Sequence, residues 1–272
     1  MLMMVPPLPS LTLGSESTHS SRTLMLLELA LLFEAVPPGA SPERYFEAVL
    51  HHNVLHKPTT PTRSTTFKYL RELYGLDPTS ILFPPLRRLW ASDSAAQPAL
   101  ALLSAVVSDT LLRSSAEFVL SLERGASVTT SDFSQVIASA FPQRFGTGTL
   151  TSTAQNIASS WTQSGHLRGK TRKTRSQVKA TPASVAYALY LGYLEGARGL
   201  MLYQTLWARL MDQTPSELDV YSRAAAQQGW LEYRRIGDVA ELSFEGLTLP
   251  TLSQSTDKTS LATPLERTHV LR

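Results

Sequence analysis

The stretch TLTSTAQNIASSWTQSGHLRGKTRKTRSQVK, Thr149–Lys179, reads as a helix, a stop and an extended basic arm. A Thr/Ser cap opens a helix whose exposed side would carry Ser152, Thr153, Gln155, Asn156 and Ser159, with Ile157 and Trp161 buried. Ser164-Gly165 ends it, and an apolar residue, Leu167, leads the chain into an extended segment. Helix, glycine, apolar residue and strand is the closing order of a winged helix-turn-helix. Small polar side chains on such a helix suit base edges, and wing cations suit phosphates.

Charge supports a polyanionic partner. No Asp or Glu occurs between Phe133 and Leu194, where Arg144, Arg168, Lys170, Arg172, Lys173, Arg175 and Lys179 give +7 against +3 for the whole chain. The rest of the protein is therefore net acidic, and the field is local and one-signed. A solvated loop would carry the same charge. The adjoining helix–glycine pattern favours nucleic acid, with Arg168, Lys170, Arg172, Lys173, Arg175 and Lys179 as phosphate clamps.

A second unit of the same layout spans Thr214–Phe244: a capped helix, Gln228-Gly229, then a hairpin around Arg234-Arg235-Ile236-Gly237-Asp238. Its helix carries Glu217 and Asp219, so it fits a structural or protein-binding role better than DNA. Elsewhere the pattern is helical. Pro37-Pro38-Gly39 separates two helices, Gly75 and Pro78 stop a third, Pro98–Arg124 reads as one long helix, and Pro182 opens another extending to Met211.

The expected fold is mainly α: a helical domain over 21–142, then a winged-helix-like basic region with closing helices and a small β-hairpin over 143–250. Residues 1–20 and 251–272, rich in Pro, Ser and Thr, read as flexible tails. At 272 residues with 43% hydrophobic and 17% charged side chains, the chain can bury a sizeable core. It has no cysteine, which excludes disulfides, thiolate metal sites and cysteine nucleophiles. The apolar run Leu24–Val36 is too short to span a bilayer and contains Glu28 and Glu34. No signal peptide is legible, so a cytoplasmic location without membrane contact is expected.

Catalytic patterns are missing. His52 and His56 have the i, i+4 spacing of zinc ligands, but no third ligand lies near in sequence, so no metal is expected. Phe145–Leu150 (FGTGTL) lacks the Gly-Lys-Ser/Thr of a phosphate loop, and neither a Gly-x-Ser-x-Gly elbow nor a His-Glu-x-x-His occurs. The expectation is a non-enzymatic protein with no cofactor and no small-molecule substrate.

The order of the pieces resembles the BrxA family of bacteriophage exclusion (BREX) defence systems. The resemblance covers roughly Arg22–Phe244. It rests on the first helix, on VLHHNVLHKPTTPTRSTTFKYLREL (Val49–Leu73), on ALLSAVVSDTLLRSSAEFVL (Ala101–Leu120), on the Thr-rich helix before Gly165-His166-Leu167, and on GWLEYRRIGDVAELSF (Gly229–Phe244). It implies a mainly helical, non-catalytic protein whose partners are double-stranded DNA and other BREX subunits. It also implies a second phosphate-contacting face at Lys57, Arg63, Lys68 and Arg71. The competing expectation is a scaffold subunit whose basic loop docks an acidic protein or RNA.

Overall fold

The computed structural model describes residues 11–237 and 239–248; the expected C-terminal tail, 251–272, lies outside them. The protein is mainly helical, with two small antiparallel sheets. The first half contains α1 (Leu26–Ala35), α2 (Pro42–Leu50), α3 (Thr60–Tyr74), α4 (Phe83–Ser92), α5 (Gln97–Ser108), α6 (Thr110–Ser114) and α7 (Ala116–Ser121). Proline in the first turn starts α2, α3, α4 and α5, where its missing N–H has no intrahelical partner to lose. Every residue from Ala99 to Val107 is buried, so α5 lies at the centre of the helical half. Beside it Phe33, Tyr45, Phe83 and Trp90 pack edge to face. The buried Arg87 lies 4.2 Å over Phe33 and donates to the Phe33 and Val36 carbonyls, which satisfies the end of α1.

The single helix predicted over Pro98–Arg124 is broken at Asp109, whose backbone is extended (φ −109°, ψ 117°). Its carboxylate accepts the amides of Leu111 and Leu112 and so restarts the helix as α6. The same carboxylate accepts the His19 amide at 2.9 Å and faces His19 Nδ1 at 3.1 Å. His19 Nε2 lies 2.9 Å from Ser160 Oγ. This Asp–His–Ser chain has the order of a hydrolase triad, yet all three residues are fully buried and Ser160 Oγ also receives the Leu24 amide. It is a structural clamp. Of the expected N-terminal tail, residues 1–10 lie outside the described residues; from Leu11, whose amide donates to the Leu194 carbonyl, to the buried Thr18 and His19, the chain packs on the body.

Next come β1 (Ser127–Val128), α8 (Thr130–Ala140), α9 (Thr147–Gln163), β2 (Leu167–Arg168) and β3 (Lys173–Arg175). The strands form one antiparallel sheet in the order β1-β3-β2, with Ser127 opposite Thr174 and Leu167 opposite Arg175. The rest is α10 (Pro182–Leu194), a 3-10 turn (Gly199–Gln204), α11 (Leu206–Arg209), α12 (Pro215–Gln227), the hairpin β4 (Glu232–Ile236) with β5 (Val239–Ser243), and α13 (Glu245–Thr248). The extension of α10 to Met211 predicted from sequence fails at Glu195-Gly196, where the chain turns. Capping boxes Thr129/Asp132, Thr181/Ser184 and Thr214/Glu217 start α8, α10 and α12. α10 is buried on all sides from Ala183 to Gly192 and joins the two halves in one core.

His166, fully buried, holds the end of α9 to α11. Its Nε2–H donates to the Leu210 carbonyl at 2.8 Å and its Nδ1 lies 2.9 Å from the Ser164 hydroxyl, which itself donates to the Trp161 carbonyl at 3.0 Å. Burial pushes its pKa down to about 4, against the opposing pull of Asp212. The folded value lies below the ordinary 6.5, so the stabilisation is fully present above that pH and is lost as pH falls towards 4. The expected loss is roughly 3 kcal/mol from this group. Thermal unfolding between pH 7 and pH 4 should show it, and His166→Gln should flatten that part of the profile.

Candidate nucleic-acid interface

α9 presents two stripes. Ala154, Ile157, Ala158 and Trp161 face the core, and Trp161 Nε1 donates to the Ser115 hydroxyl at 2.8 Å. The opposite stripe, at spacings of three and four, is Ser152, Gln155 and Ser159; the first two are exposed and the third is half-buried. Gly165 at φ +89° closes the helix as the sequence suggests. Two of the predicted base-reading residues are placed elsewhere. Thr153 is fully buried, one position off the exposed phase, and cannot touch a duplex. Asn156 is half-buried and donates its amide to the His19 carbonyl at 3.1 Å, so it anchors the N-terminal segment.

The β2–β3 connection is the basic arm. Gly169, at φ +104°, stands so close to the Arg172 carbonyl oxygen that a Cβ would lie 2.2 Å from it, so only glycine fits this turn. Arg168, Lys170 and Arg172 are exposed, as is Lys179 beyond β3, and no carboxylate lies within ion-pair distance of any of the four among the described residues. Lys173 is half-buried and donates to Thr162 Oγ1 at 2.9 Å. Arg175 corrects the predicted clamp. Its side chain is 4% exposed and grips both Asp212 oxygens, at 2.8 and 2.5 Å, while also donating to the Val119 and His166 carbonyls. It fixes the wing to the turn before α12 and is unavailable to phosphate.

The second face expected on α2 and α3 does not gather. Lys57 pairs with Glu28 at 2.8 Å. Arg63 donates to the Leu50 carbonyl at 2.8 Å and so caps α2. Lys68 lies 3.7 Å from Glu72, and Arg71 borders a shallow groove with Glu43, Glu47 and Asp77. Carboxylates pair with Lys57 and Lys68, a carbonyl holds Arg63, and Arg71 shares its groove with three acidic residues.

Two residues outside the predicted site join it. Thr130 and Thr171 border the cleft that also holds Gln155, Ser159, Lys170 and Lys173. Arg144 stacks over Phe141 and Phe145, at 5.1 and 5.2 Å, and donates to Ser17 Oγ just before α9 begins. The sequence marked Arg144 only by its place in the acid-free stretch. Thr130 and Thr171 carried no signal, because Thr130 reaches the cleft only through the β1–β3 pairing.

The second helix–hairpin unit differs in charge. The buried Asp219 accepts from Arg223, Tyr233 and Arg235, which locks the hairpin to α12 and neutralises it. Arg234 faces Glu241 across the strands. The hairpin ends in exposed Ile236 and Val239, and Asp238 of its turn lies outside the described residues. Two cations of this unit, Arg223 and Arg235, are thus answered from within it by Asp219.

Among the described residues no group of three or more His, Asp or Glu is placed to hold a metal ion, and His51, His52 and His56 acquire no acidic partner. Also among the described residues, no helix is long and apolar enough to cross a membrane. No family model and no curated protein matches this chain.

Proposed function

We propose that this protein is a non-enzymatic component of a bacterial anti-phage system of the BREX type that binds duplex DNA mainly through its phosphates. α7, β1, α8, α9 and the β2–β3 hairpin follow the chain order of a winged helix, and the sheet order β1-β3-β2 supports that reading. On it, α9 is the recognition helix and Gly169–Arg172 the wing. The observation that carries the reading is a row of exposed, unpaired cations, Arg168, Lys170 and Arg172, beside a helix stripe with no charged side chain. Cations with no partner among the described residues favour an external anion, and uncharged polar groups let a phosphate backbone approach. The link to phage defence rests on the sequence resemblance alone.

With Lys173 and Lys179 included, about four to five phosphates would be neutralised, so log affinity should fall against log salt with a slope of roughly −4. A fluorescence-anisotropy salt series on a random-sequence duplex measures it. A slope near zero, or turnover of DNA with added magnesium, would overturn the proposal. A scaffold role is the second reading, favoured by the apolar hairpin end at Ile236 and Val239. If the basic arm serves that role, polyglutamate or single-stranded RNA should displace duplex DNA at stoichiometric amounts.

A further inference from the structure

Between α9 and the wing lies a cleft of ≈ 360 Å³ lined by Thr130, Gln155, Ser159, Lys170, Thr171 and Lys173, with Val128 at its apolar edge. Every one of the six polar side chains can donate a hydrogen bond, and no carboxylate lines the space. Thr130 opens α8, so the first amides of that helix lie at the rim, where they favour negative charge. Asp132, in that first turn, accepts the Thr129 amide and hydroxyl of the capping box at 2.7 and 2.8 Å.

Lys173 is the decisive group. Its ammonium is held by Thr162 Oγ1 at 2.9 Å and approaches the Gly169 carbonyl at 3.5 Å, which leaves one of its three N–H bonds free. No carboxylate pairs with it among the described residues, and burial lowers its pKa. A half-buried cation without a counter-charge costs free energy that an arriving anion would recover. Its neighbours Ser159 and Gln155 stand one turn apart on α9, so the helix places both on the same side of the cleft.

We propose that this cleft seats one phosphoryl group, a backbone phosphodiester when duplex DNA is bound, with Lys173 as the fixed donor. Ser159, Gln155 and Thr130 complete the shell. Gln155 and Ser159 then hold phosphate and do not read bases, and Ser152 is left as the exposed tip of the helix stripe. The inference deepens the DNA-binding reading and rests on it.

Two variants test it: Lys173→Met, which keeps the aliphatic stem, and Ser159→Ala, which removes only a hydroxyl. Affinity for a random-sequence duplex is measured across salt, and inorganic phosphate is compared with chloride as competitor at equal ionic strength. Lys173→Met should flatten the salt slope by about 0.9 and weaken binding about tenfold, with Ser159→Ala weakening it several-fold. Phosphate should outcompete chloride on the wild type and lose that advantage in Lys173→Met. Wild-type slope and affinity in both variants, with duplex binding otherwise present, overturn the cleft and leave the DNA-binding reading standing. Absence of duplex binding by the wild type overturns both, even if inorganic phosphate binds.

Discussion

Reversing Arg168, Lys170 and Arg172 to glutamate should abolish duplex binding at about 0.15 M salt while leaving the fold intact. All three side chains are exposed, and among the described residues none forms an ion pair that the change would break. Substitutions at such positions alter stability by about 0.5 kcal/mol or less. Binding is another matter. Three lost phosphate contacts at about 0.9 in salt slope each, before any repulsion from the new carboxylates, correspond to roughly three orders of magnitude in affinity at low salt. Anisotropy against a labelled duplex reads the loss, and an unchanged melting temperature shows that the fold survived. Arg175 must be excluded from such a set, because its reversal would place two carboxylates together in the core.

Asp212→Ala should destabilise the protein by about 3–5 kcal/mol. Asp212 accepts two bonds from Arg175 and one from the Val178 amide at 3.3 Å. Its removal leaves a guanidinium 4% exposed and unpaired against the wing. The double variant Arg175→Met/Asp212→Leu should be more stable than Asp212→Ala, because it removes both charges and refills the space. Chemical unfolding of the three proteins measures the difference. A cost below about 1 kcal/mol for the single variant would mean that the pair is solvated and that the wing is anchored by other contacts.

Much of the helical frame is legible from local chemistry. Pro-initiated turns, Thr caps answered three residues later by Asp132 or Glu217, and the Gly165 stop each act within one turn of chain. What escapes is set by distant partners. Asp109 sits in an apolar run that continues a helical period; beyond its own cap of α6, the break is held by the N-terminal segment at Glu16 and His19, some ninety positions away. Arg175 has no acid within its own stretch, and Asp212 reaches it from 37 residues on. β1 is two residues long and carries no periodicity. The misplacement of Thr153 has another cause: in a helix rich in Ser, Thr and Ala, the inward and outward stripes differ little in polarity. The phase is set by Trp161 and Ile157, and these two leave an error of one residue unresolved.

Backbone amide shifts recorded while a random-sequence duplex is titrated into the full chain locate the contact surface residue by residue. The expected perturbations centre on Ser152, Gln155, Ser159 and Thr130, and on the wing from Arg168 to Lys173, with α2, α3 and the β4–β5 hairpin silent. Shifts confined to the α2–α3 face or the hairpin, with α9 and the wing unmoved, would contradict the proposed interface.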